Sequence, residues 1–244
     1  MIVTMDGPAG AGKSILARQL ADRIGFDFLD TGAMYRCVTL ACLKKGVPLD
    51  NPIAVSDCSL SLDMKFLGAS VLLDDVDVSL LIRSPEVTSA IRPIADNLLV
   101  RERLVELQRE WAGDRDVVTE GRDQGTVAFP SASCKIYLTA SPQERAKRRV
   151  AQLASQGILA DVESVLAQQN QRDAEDTSRT HGPLRAASDA IYVYSDGLTQ
   201  DEVLDRLVEI VEARRALAFT DIQASEDLSL DLKQNSSAPM SSHT

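Results

Sequence analysis

The sequence predicts an α/β fold in which a mostly parallel central sheet is flanked by helices. Short apolar runs recur along the chain, at residues 2–5, 117–119, 135–138 and 190–194. Helical patterns separate or follow these runs, as parallel strands require. The length of 244 residues agrees, because it suits one elaborated α/β domain or a domain that carries a sizeable insert.

The first predicted strand leads into a glycine-rich turn and then into a helix. After the turn, Leu16, Leu20 and Ile24 recur at helical spacing. Residues 7–14 read GPAGAGKS, which matches the pattern G-x-x-x-x-G-K-[ST] completely and lies between a strand and a helix. This match is the strongest functional signal in the chain, and it predicts a turn that binds phosphate.

Each residue type in this turn has a role in holding phosphate. Glycines let the backbone wrap around a polyphosphate, whose oxygens accept hydrogen bonds from N–H groups at a helix N-terminus. Lys13 is expected to reach the β- and γ-phosphates, and the Ser14 hydroxyl to ligate Mg²⁺. The alternative is a small-residue turn that only packs a helix on a strand, but position, context and residue types favour the phosphate loop. The expected nucleotide-binding residues are Gly7, Pro8, Ala9, Gly10, Ala11, Gly12, Lys13, Ser14 and Ile15.

Residues 59–78 predict a small antiparallel sheet inserted into the α/β framework. Apolar and polar residues alternate at its start, the apolar ones being Leu60, Leu62, Met64 and Phe66. Such alternation indicates a half-buried strand. Two apolar runs follow at short intervals, at 71–73 and 76–78, with no helical pattern between them. Three short strands in succession therefore interrupt the alternation of strands and helices.

Two later helices have marked beginnings, and the chain changes character after the second. Residues 141–144 (SPQE) offer an N-cap serine, a proline at the first helical position and a reciprocal glutamate. Residues 199–202 (TQDE) repeat the capping box before the helix expected to close the domain. Beyond Arg215, serines are frequent and acidic residues outnumber basic ones four to one. We expect residues 216–244 to form a largely disordered tail.

The composition excludes several classes of protein. A net charge of −10 argues against a uniformly basic nucleic-acid binder. Two histidines are too few for a His-rich metal site or an ordinary Ser-His-Asp triad. The four cysteines form no CxxC pair and are expected to be reduced, mostly buried thiols. With no apolar run long enough to span a membrane and no signal-peptide pattern at the N-terminus, we expect a cytoplasmic protein.

The phosphate loop indicates a nucleotide, and the remaining sequence narrows the reaction. The chain has no Asn-Lys-x-Asp tetrapeptide, which guanine-nucleotide switches usually carry, and it is short for a mechanochemical ATPase. A small kinase is the natural class that remains. A kinase with an anionic acceptor must hold two phosphates together against their repulsion. Guanidinium groups suit this task because they bind phosphate oxygens in a bidentate fork.

Arginines stand close to breaks in the pattern. Arg36 follows residues 30–32, and Arg122 comes directly after a predicted strand, at the rim where open α/β sheets bind ligands. Each feature has a plainer alternative, since a lone arginine is usually a solvated charge and residues 30–32 are compatible with a capped turn. Residues 120–123 are compatible with a local ion pair, and residues 173–176 with a solvated acidic run. Read jointly, these features favour a kinase site.

The motifs resemble those of the bacterial cytidylate kinase family, in the family's order, from Met1 to about Arg215. The matching segments are GPAGAGKS at 7–14, LDTGAMYR at 29–36, DVDVSLLIR at 75–83, GRDQGTVAFP at 121–130, KIYLTAS at 135–141 and RDAEDTSR at 172–179. The resemblance implies a fold like that of the P-loop nucleoside triphosphate hydrolases. It implies transfer of the γ-phosphoryl group of ATP to CMP or dCMP, with Mg²⁺. The implied kinase domain is 1–215, with a monophosphate-binding insert at about 58–96 and a lid at about 145–157.

The resemblance also assigns roles to individual residues. The expected catalytic residues are Lys13, Arg122 and the lid arginines Arg148 and Arg149. The expected substrate-binding residues are Asp30, Thr31, Arg36, Arg101, Arg122, Asp123, Arg172, Asp176 and Arg179. Among these residues, Arg36 and Arg122 would hold the CMP phosphate. The cytosine would be faced by Arg101, Asp123 and Arg179. The ribose hydroxyls would be bound by Arg172 and Asp176. No general base is needed, because the second pKa of a phosphate monoester is about 6 and the acceptor is already anionic.

Three positions depart from the family pattern and bear on base selectivity. Glu120 stands where aspartate is common, and Gln124 replaces an apolar residue. Arg92 falls near a position where relatives often place a base-contacting serine, with Ser89 as the nearby candidate. The alternatives are another small-molecule kinase on this scaffold, with UMP or dTMP as acceptor, and a nucleotide-binding regulatory module. We expect ATP and CMP or dCMP as partners, no nucleic-acid polymer, no membrane contact and a monomer.

Overall fold

The structure is a computed structural model that describes residues 1–68, 70–155 and 157–235, with side chains as far as residue 217. Its strands are β1 (Ile2–Asp6), β2 (Asp27–Asp30), β3 (Met64–Leu67), β4 (Ser70–Leu73), β5 (Val76–Asp77), β6 (Val117–Gly121), β7 (Cys134–Thr139) and β8 (Ile191–Tyr194). Its helices are α1 (Lys13–Ile24), α2 (Thr31–Lys45), α3 (Pro52–Leu60), α4 (Pro85–Asp96), α5 (Leu98–Ala112), α6 (Pro142–Ser155), α7 (Val162–Thr177) and α8 (Gln200–Asn235).

Five parallel strands form the central sheet in the order β2-β6-β1-β7-β8. In the centre, Met5 of β1 is in register with Glu120 of β6 and Ile136 of β7. Because all five strands run in one direction, the turns after β1, β2, β6 and β7 emerge at the same edge. The sheet, its flanking helices and the glycine-rich turn after β1 confirm the predicted P-loop α/β fold class.

One strand of the sheet lacks a clear sequence signal. The segment DFLD of β2 has a charged residue at each end, and only Leu29 and Asp30 are buried. The alternative of a capping aspartate is also correct, because Asp30 accepts a hydrogen bond at 2.9 Å from the backbone N–H of Ala33. Asp30 therefore ends a strand and begins α2 at the same time.

The predicted antiparallel sheet is present, with the strand order β3-β4-β5. Its first strand begins later than the alternation suggests, because Leu60 is the last residue of α3 and is 60% exposed. The earlier residues fold as a helix that Asn51 caps, since its side chain accepts a hydrogen bond from Ala54 N–H at 3.1 Å. The strand prediction is therefore wrong for Leu60 and Leu62 and right from Met64 onward.

The two predicted helix beginnings occur where expected. Thr199 and Glu202 complete a capping box: Thr199 N–H donates to the carboxylate at 2.8 Å, and Glu202 N–H donates to the hydroxyl at 3.3 Å. Ser141 accepts from Glu144 N–H at 3.3 Å. The second bond of the predicted capping box, from the Ser141 N–H to Glu144, is replaced by another. The Ser141 N–H donates to the two carboxylate oxygens of Asp196 instead, at 2.9 and 3.0 Å. That contact ties the start of α6 to the loop after β8.

Apolar side chains are buried on both faces of the sheet. On one face, α1 and α8 pack together, with Leu20, Val203 and Leu207 among the buried residues. On the other face, buried residues of α2 and α5 form one apolar cluster with residues of β2 and of β4 in the small antiparallel sheet. Within the described part of the chain, no helix combines the length and hydropathy that crossing a membrane requires.

The expected domain boundaries remain predictions. The backbone helix of α8 continues past Arg215 to Asn235. The expectation of a disordered tail at 216–244 falls partly on residues 236–244, which lie outside the described residues. The expected insert at 58–96 contains β3, β4, β5 and α4, and the expected lid at 145–157 begins within α6.

Candidate active site

The turn between β1 and α1 has a backbone shape that requires glycine. Gly7 has φ at 149°, and a Cβ there would lie 2.0 Å from the carbonyl oxygen of Leu138. Gly12, with φ at 87°, precedes α1 and has no side chain to cap the first helical N–H groups. These N–H groups therefore remain open to an anion, at the end of the helix that carries partial positive charge.

Lys13 lies within this turn and is almost fully buried. Its Nζ donates a hydrogen bond to the carbonyl oxygen of Pro8 at 2.8 Å. Burial, followed by the positive charge of Arg122, lowers the pKa of Lys13 to about 7, although Glu120 and Asp6 oppose the shift. A bound polyphosphate would raise that pKa again, because a neighbouring anion favours the charged amine.

Ser14 and Glu120 bring two oxygen donors together beside Lys13. The Ser14 hydroxyl donates to Glu120 Oε1 at 2.8 Å. Burial, together with the negative charge of Asp30, raises the pKa of the Glu120 carboxyl. A hydroxyl and a carboxylate fit Mg²⁺, which prefers oxygen ligands and commonly takes its others from phosphates and water. Glu120 therefore supplies a carboxylate beside Ser14.

Asp6 fixes the turn that follows β6. Its two carboxylate oxygens accept hydrogen bonds from the N–H groups of Gln124 and Gly125, each at 2.8 Å. Burial raises the pKa of Asp6 to about 6, against the lowering effect of these two amides. The buried side chain of Gln124 accepts a hydrogen bond from the Thr119 hydroxyl at 2.9 Å. Gln124 therefore supports the turn from below and does not line the pocket described next.

A pocket at the carboxyl end of β6 contains most of the expected substrate-binding residues. Seven of the nine line it: Thr31, Arg101, Arg122, Asp123, Arg172, Asp176 and Arg179. Tyr35, Ile91 and Ala95 add apolar walls, and Glu120 connects this pocket to the phosphate loop. We call this the acceptor pocket. Its volume is about 100 Å³.

The other two expected residues, Asp30 and Arg36, lie beside the acceptor pocket and are engaged elsewhere. The carboxylate of Asp30 caps α2 and accepts a hydrogen bond from Arg83 at 2.8 Å. Arg36 donates to the carbonyl oxygen of Ile82 at 3.0 Å and to the Thr88 hydroxyl at 2.8 Å. Arg83 is absent from the expected residues, although it ends the matching segment at 75–83.

Carboxylates hold the arginines of the acceptor pocket in place. Asp176 accepts from Arg122 Nε at 2.8 Å and pairs with Arg179 at 2.7 Å. Burial alone would raise the pKa of Asp176, but Arg122 and Arg179 lower it below its usual value. Arg179 also donates to Asp96 at 2.8 Å. A phosphate entering the pocket would therefore meet guanidinium groups that are already oriented.

Arg101 and Asp123 form a second, buried pair in the acceptor pocket. The Arg101 guanidinium donates to Asp123 and also to the carbonyl oxygen of Ala95 at 3.0 Å, and it lies over the Tyr35 ring at 5.6 Å. Gly182 packs directly on this pair: a Cβ there would lie 2.0 Å from Arg101 Nη2 and 2.3 Å from Asp123 Oδ2. No sequence pattern singles out Gly182, because its closeness to Arg101 results from the fold.

The expected lid arginines lie in a different cleft, next to the outer side of the phosphate loop. We call it the donor cleft; its volume is about 370 Å³. It is lined by Gly10, Ala11, Gly12, Ile15, Leu16, Arg148, Arg149, Gln152, Ser195, Leu198, Thr199, Gln200 and Val203. Arg148 donates to Glu144 at 3.0 Å and to the Ser195 hydroxyl at 2.9 Å, whereas Arg149 is exposed and donates to Gln152. Their expected role at the transferring phosphoryl group therefore remains a prediction.

Three residues absent from the expected site contact the phosphate loop. Arg145 is buried; its Nη1 donates to the carbonyl oxygen of Ala9 at 2.7 Å and pairs with Asp173 at 2.6 Å. Asp173 accepts from Ala9 N–H at 3.2 Å, and Gln169 lies over Gly10. The available signal for Arg145 is its place in the first turn of α6, directly after β7.

Arg92 and Ser89 do not line the acceptor pocket. Arg92 pairs with Glu175 at 2.9 Å and lies 3.5 Å from Asp96, so it joins α4 to α7 outside the pocket. The Ser89 hydroxyl donates to the carbonyl oxygen of Glu86 within α4, at 2.9 Å. Neither residue occupies the place expected for a base-contacting group.

Comparison with known proteins adds independent information. A family model described as "Cytidylate kinase" matches residues 3–213. A cytidylate kinase of Rhodopirellula baltica is 52% identical over 211 residues, which cover 86% of this chain and 92% of that relative. A cytidylate kinase of Rhodococcus jostii is 45% identical over 219 residues, covering 88% and 96%. Among solved structures, a gluconokinase from Sinorhizobium meliloti 1021 aligns with a TM-score of 0.47 and 16% identity over 89% of this chain and 95% of that chain.

Proposed function

The chain belongs to the cytidylate kinase family, and on this basis we propose that it transfers the γ-phosphoryl group of ATP to CMP or dCMP. The products are ADP and CDP or dCDP. The observation that carries the proposal is the acceptor pocket, which gathers four arginines and two aspartates beside the phosphate loop. This charge pattern suits a ligand with one phosphate, a ribose and a polar base.

In this proposal the phosphate loop binds the phosphates of ATP. Open N–H groups at the start of α1 and the amine of Lys13 supply hydrogen bonds and positive charge. The adenosine part occupies the donor cleft, whose apolar wall includes Ile15, Leu198 and Val203. Mg²⁺ bound with ATP would be held by Ser14 and Glu120, and it would neutralise charge on the phosphates.

In the acceptor pocket, the phosphate of CMP binds Arg122 and Arg36. Binding at Arg36 requires that its guanidinium turn from the Ile82 carbonyl and the Thr88 hydroxyl. Arg101 and Asp123 offer a donor and an acceptor to the base, while Arg172 and Asp176 face the ribose hydroxyls. The role of each residue is part of the proposal.

The chemistry requires positioning and charge more than proton transfer. The acceptor oxygen is already anionic, so the protein has no proton to remove from it. Lys13 and Arg122 lie close together, near enough for Arg122 to lower the pKa of Lys13. They would stabilise the negative charge that spreads over the phosphoryl group as it moves between the two sites. Closure of the lid expected at about 145–157 would exclude water and limit hydrolysis of ATP.

The proposal is tested by ADP release in the presence of ATP, Mg²⁺ and one acceptor at a time. The acceptors are CMP, dCMP, UMP, dTMP, AMP and GMP. Strong turnover with CMP and dCMP is the expected result. Turnover only with UMP or dTMP would keep the kinase and overturn the cytosine assignment. ATP binding without turnover on any acceptor would overturn the proposal in favour of a regulatory module. Cytoplasmic location and the monomeric state remain predictions.

A further inference from the structure

The helix that carries acceptor-binding residues is attached to the phosphate loop by one carboxylate. Asp173 of α7 accepts a hydrogen bond from the Ala9 N–H at 3.2 Å through Oδ1, and its Oδ2 pairs with Arg145 at 2.6 Å. Arg145 is 3% exposed and also donates to the carbonyl oxygens of Ala9 and Ala140, at 2.7 and 3.2 Å. Both backbone groups of Ala9 are thus held, one by α7 and one by α6.

A second contact places the same face of α7 on the loop. Gln169 lies one turn before Asp173, and its Nε2 donates to the carbonyl oxygen of Arg145 at 3.4 Å. A Cβ on Gly10 would lie 2.7 Å from this Nε2, so the glycine permits the close approach. Residues four apart share one face of a helix. Gln169 and Asp173 therefore form a face that docks α7 on the phosphate loop.

The neighbours of Asp173 on α7 belong to the acceptor pocket. Arg172 precedes it and Asp176 lies three residues after it, and both line that pocket. Asp176 also holds Arg122 at 2.8 Å. Because an α-helix turn moves as a unit, the docking of Asp173 on Ala9 sets where Arg172 and Asp176 lie relative to the phosphate loop.

We propose that Asp173 is a positioning residue that couples the donor and acceptor sites. ATP phosphates that order the phosphate loop also order the partner of Asp173, and through α7 they order Arg172 and Asp176. The coupling is a difference in CMP affinity between the free protein and the protein with a donor nucleotide bound. By thermodynamic linkage, CMP must change the affinity for the donor nucleotide by the same factor. This inference rests on the proposed function, and it names the residue through which the two sites communicate.

The experiment measures the Kd of CMP by calorimetry, with and without the β,γ-imido analogue of ATP and Mg²⁺. In the unmodified protein the analogue is expected to tighten CMP binding about fivefold or more, a typical size for coupling between sites. In Asp173→Ala the ratio of the two Kd values falls to about 1. Asp173→Asn keeps an oxygen for the Ala9 N–H but loses the charge facing Arg145, so it gives an intermediate ratio. If Asp173→Ala does not fold, Asp173→Asn replaces it in the comparison with the unmodified protein.

Glu175→Ala is the matched control, because Glu175 lies on the same helix and forms an ion pair, with Arg92, away from the loop. It is expected to keep the ratio of the unmodified protein. A ratio near 1 in the unmodified protein, or an unchanged ratio in a folded Asp173→Ala, overturns the inference. Absence of CMP turnover in the unmodified protein instead overturns the proposed function. If another monophosphate is the acceptor, the same titrations use that monophosphate.

Discussion

The phosphate loop and the acceptor pocket are both suited to anions, but they are built from different groups. The loop presents N–H groups of consecutive residues at the start of α1, with Lys13 beside them. The acceptor pocket presents guanidinium groups from α5, the end of β6 and the region around α7, and carboxylates orient them. The anion-binding groups of the loop come from one contiguous segment, whereas those of the acceptor pocket are brought together by packing between distant segments.

This difference separates affinity for phosphate from choice of substrate. Backbone N–H groups recognise any polyphosphate that fits the loop, so the loop alone discriminates little between kinases. Side chains in the acceptor pocket combine charge with defined donors and acceptors, so a single substitution there can change which ligand binds. We therefore expect changes in the pocket to alter acceptor use while ATP binding persists.

The largest effect is expected for Arg122→Ala. Its guanidinium is near enough to Lys13 to lower the pKa of that amine, and it is held by Asp176, so its loss would remove charge stabilisation at the proposed reacting centre. We expect kcat/KM for CMP to fall about 100-fold or more, since losing one such group costs this much in comparable sites. The Kd of ATP, measured by calorimetry, should change little. Unchanged turnover would remove Arg122 from the mechanism.

The next largest effect is expected for Gly182→Ala. The added Cβ would displace Arg101 and Asp123, both of which line the acceptor pocket. We expect KM for CMP to rise about tenfold to about 100-fold, as small misplacements of positioning groups do elsewhere. Gly46→Ala is the matched control, with a similar φ of 63° against 61° but nothing within 4 Å of its Cβ. Equal KM changes in the two variants would contradict the proposed role of the pair.

For the phosphate loop, we predict that ATP affinity depends on pH. The pKa of Lys13 is about 7 in the free protein, and bound phosphates raise it. ATP binding should therefore take up a proton, and ATP affinity should fall roughly tenfold between about pH 7 and about pH 8.5. Calorimetry in two buffers of different ionisation heat measures the uptake. Lys13→Ala is the control and should show a flat profile; the same slope in that variant would place the titrating group elsewhere.

The smallest effect is expected for Arg92→Ser, which introduces the serine that the resemblance described above leads us to expect near this position. Arg92 is exposed and pairs with Glu175 outside the acceptor pocket. Because an exposed ion pair contributes little, we expect KM for CMP and for UMP each to change less than about threefold. Steady-state kinetics with both acceptors measures the ratio. A large change in that ratio would mean that Arg92 selects the base.

The phosphate loop and the acceptor pocket also differ in how well the sequence predicts them. The phosphate loop and its flanking elements are contiguous, so residues 2–24 are enough to predict the strand, the turn, the helix and the phosphate chemistry. The strand β2 is four residues long with a charge at each end, so its pattern is too weak to be recognised. Leu60 alternates correctly for a strand but ends α3, because the cap at Asn51 and the buried face of that helix determine the local structure.

The remaining part of the site depends on contacts between residues far apart in the chain. Arg122 and Asp176 are 54 residues apart, and Ala9 and Asp173 are 164 apart. No local pattern predicts either contact, although the motif around residues 172–179 predicts that these side chains belong to a substrate site. Arg145 lies on the same helix as Arg148 and Arg149, and its burial and its hydrogen bond to Ala9 distinguish it from them only in the structure.

A competition between acceptors at limiting ATP tests most directly whether the acceptor pocket selects cytosine nucleotides for phosphoryl transfer. CMP, UMP and dTMP are mixed at equal concentrations with the protein and Mg²⁺, and the diphosphate products are separated and quantified. We expect CDP to be the main product, in an amount equal to that of the ADP formed. UDP or dTDP as the main product would contradict the assignment of the acceptor pocket. Formation of ADP without CDP, UDP or dTDP would contradict phosphoryl transfer itself.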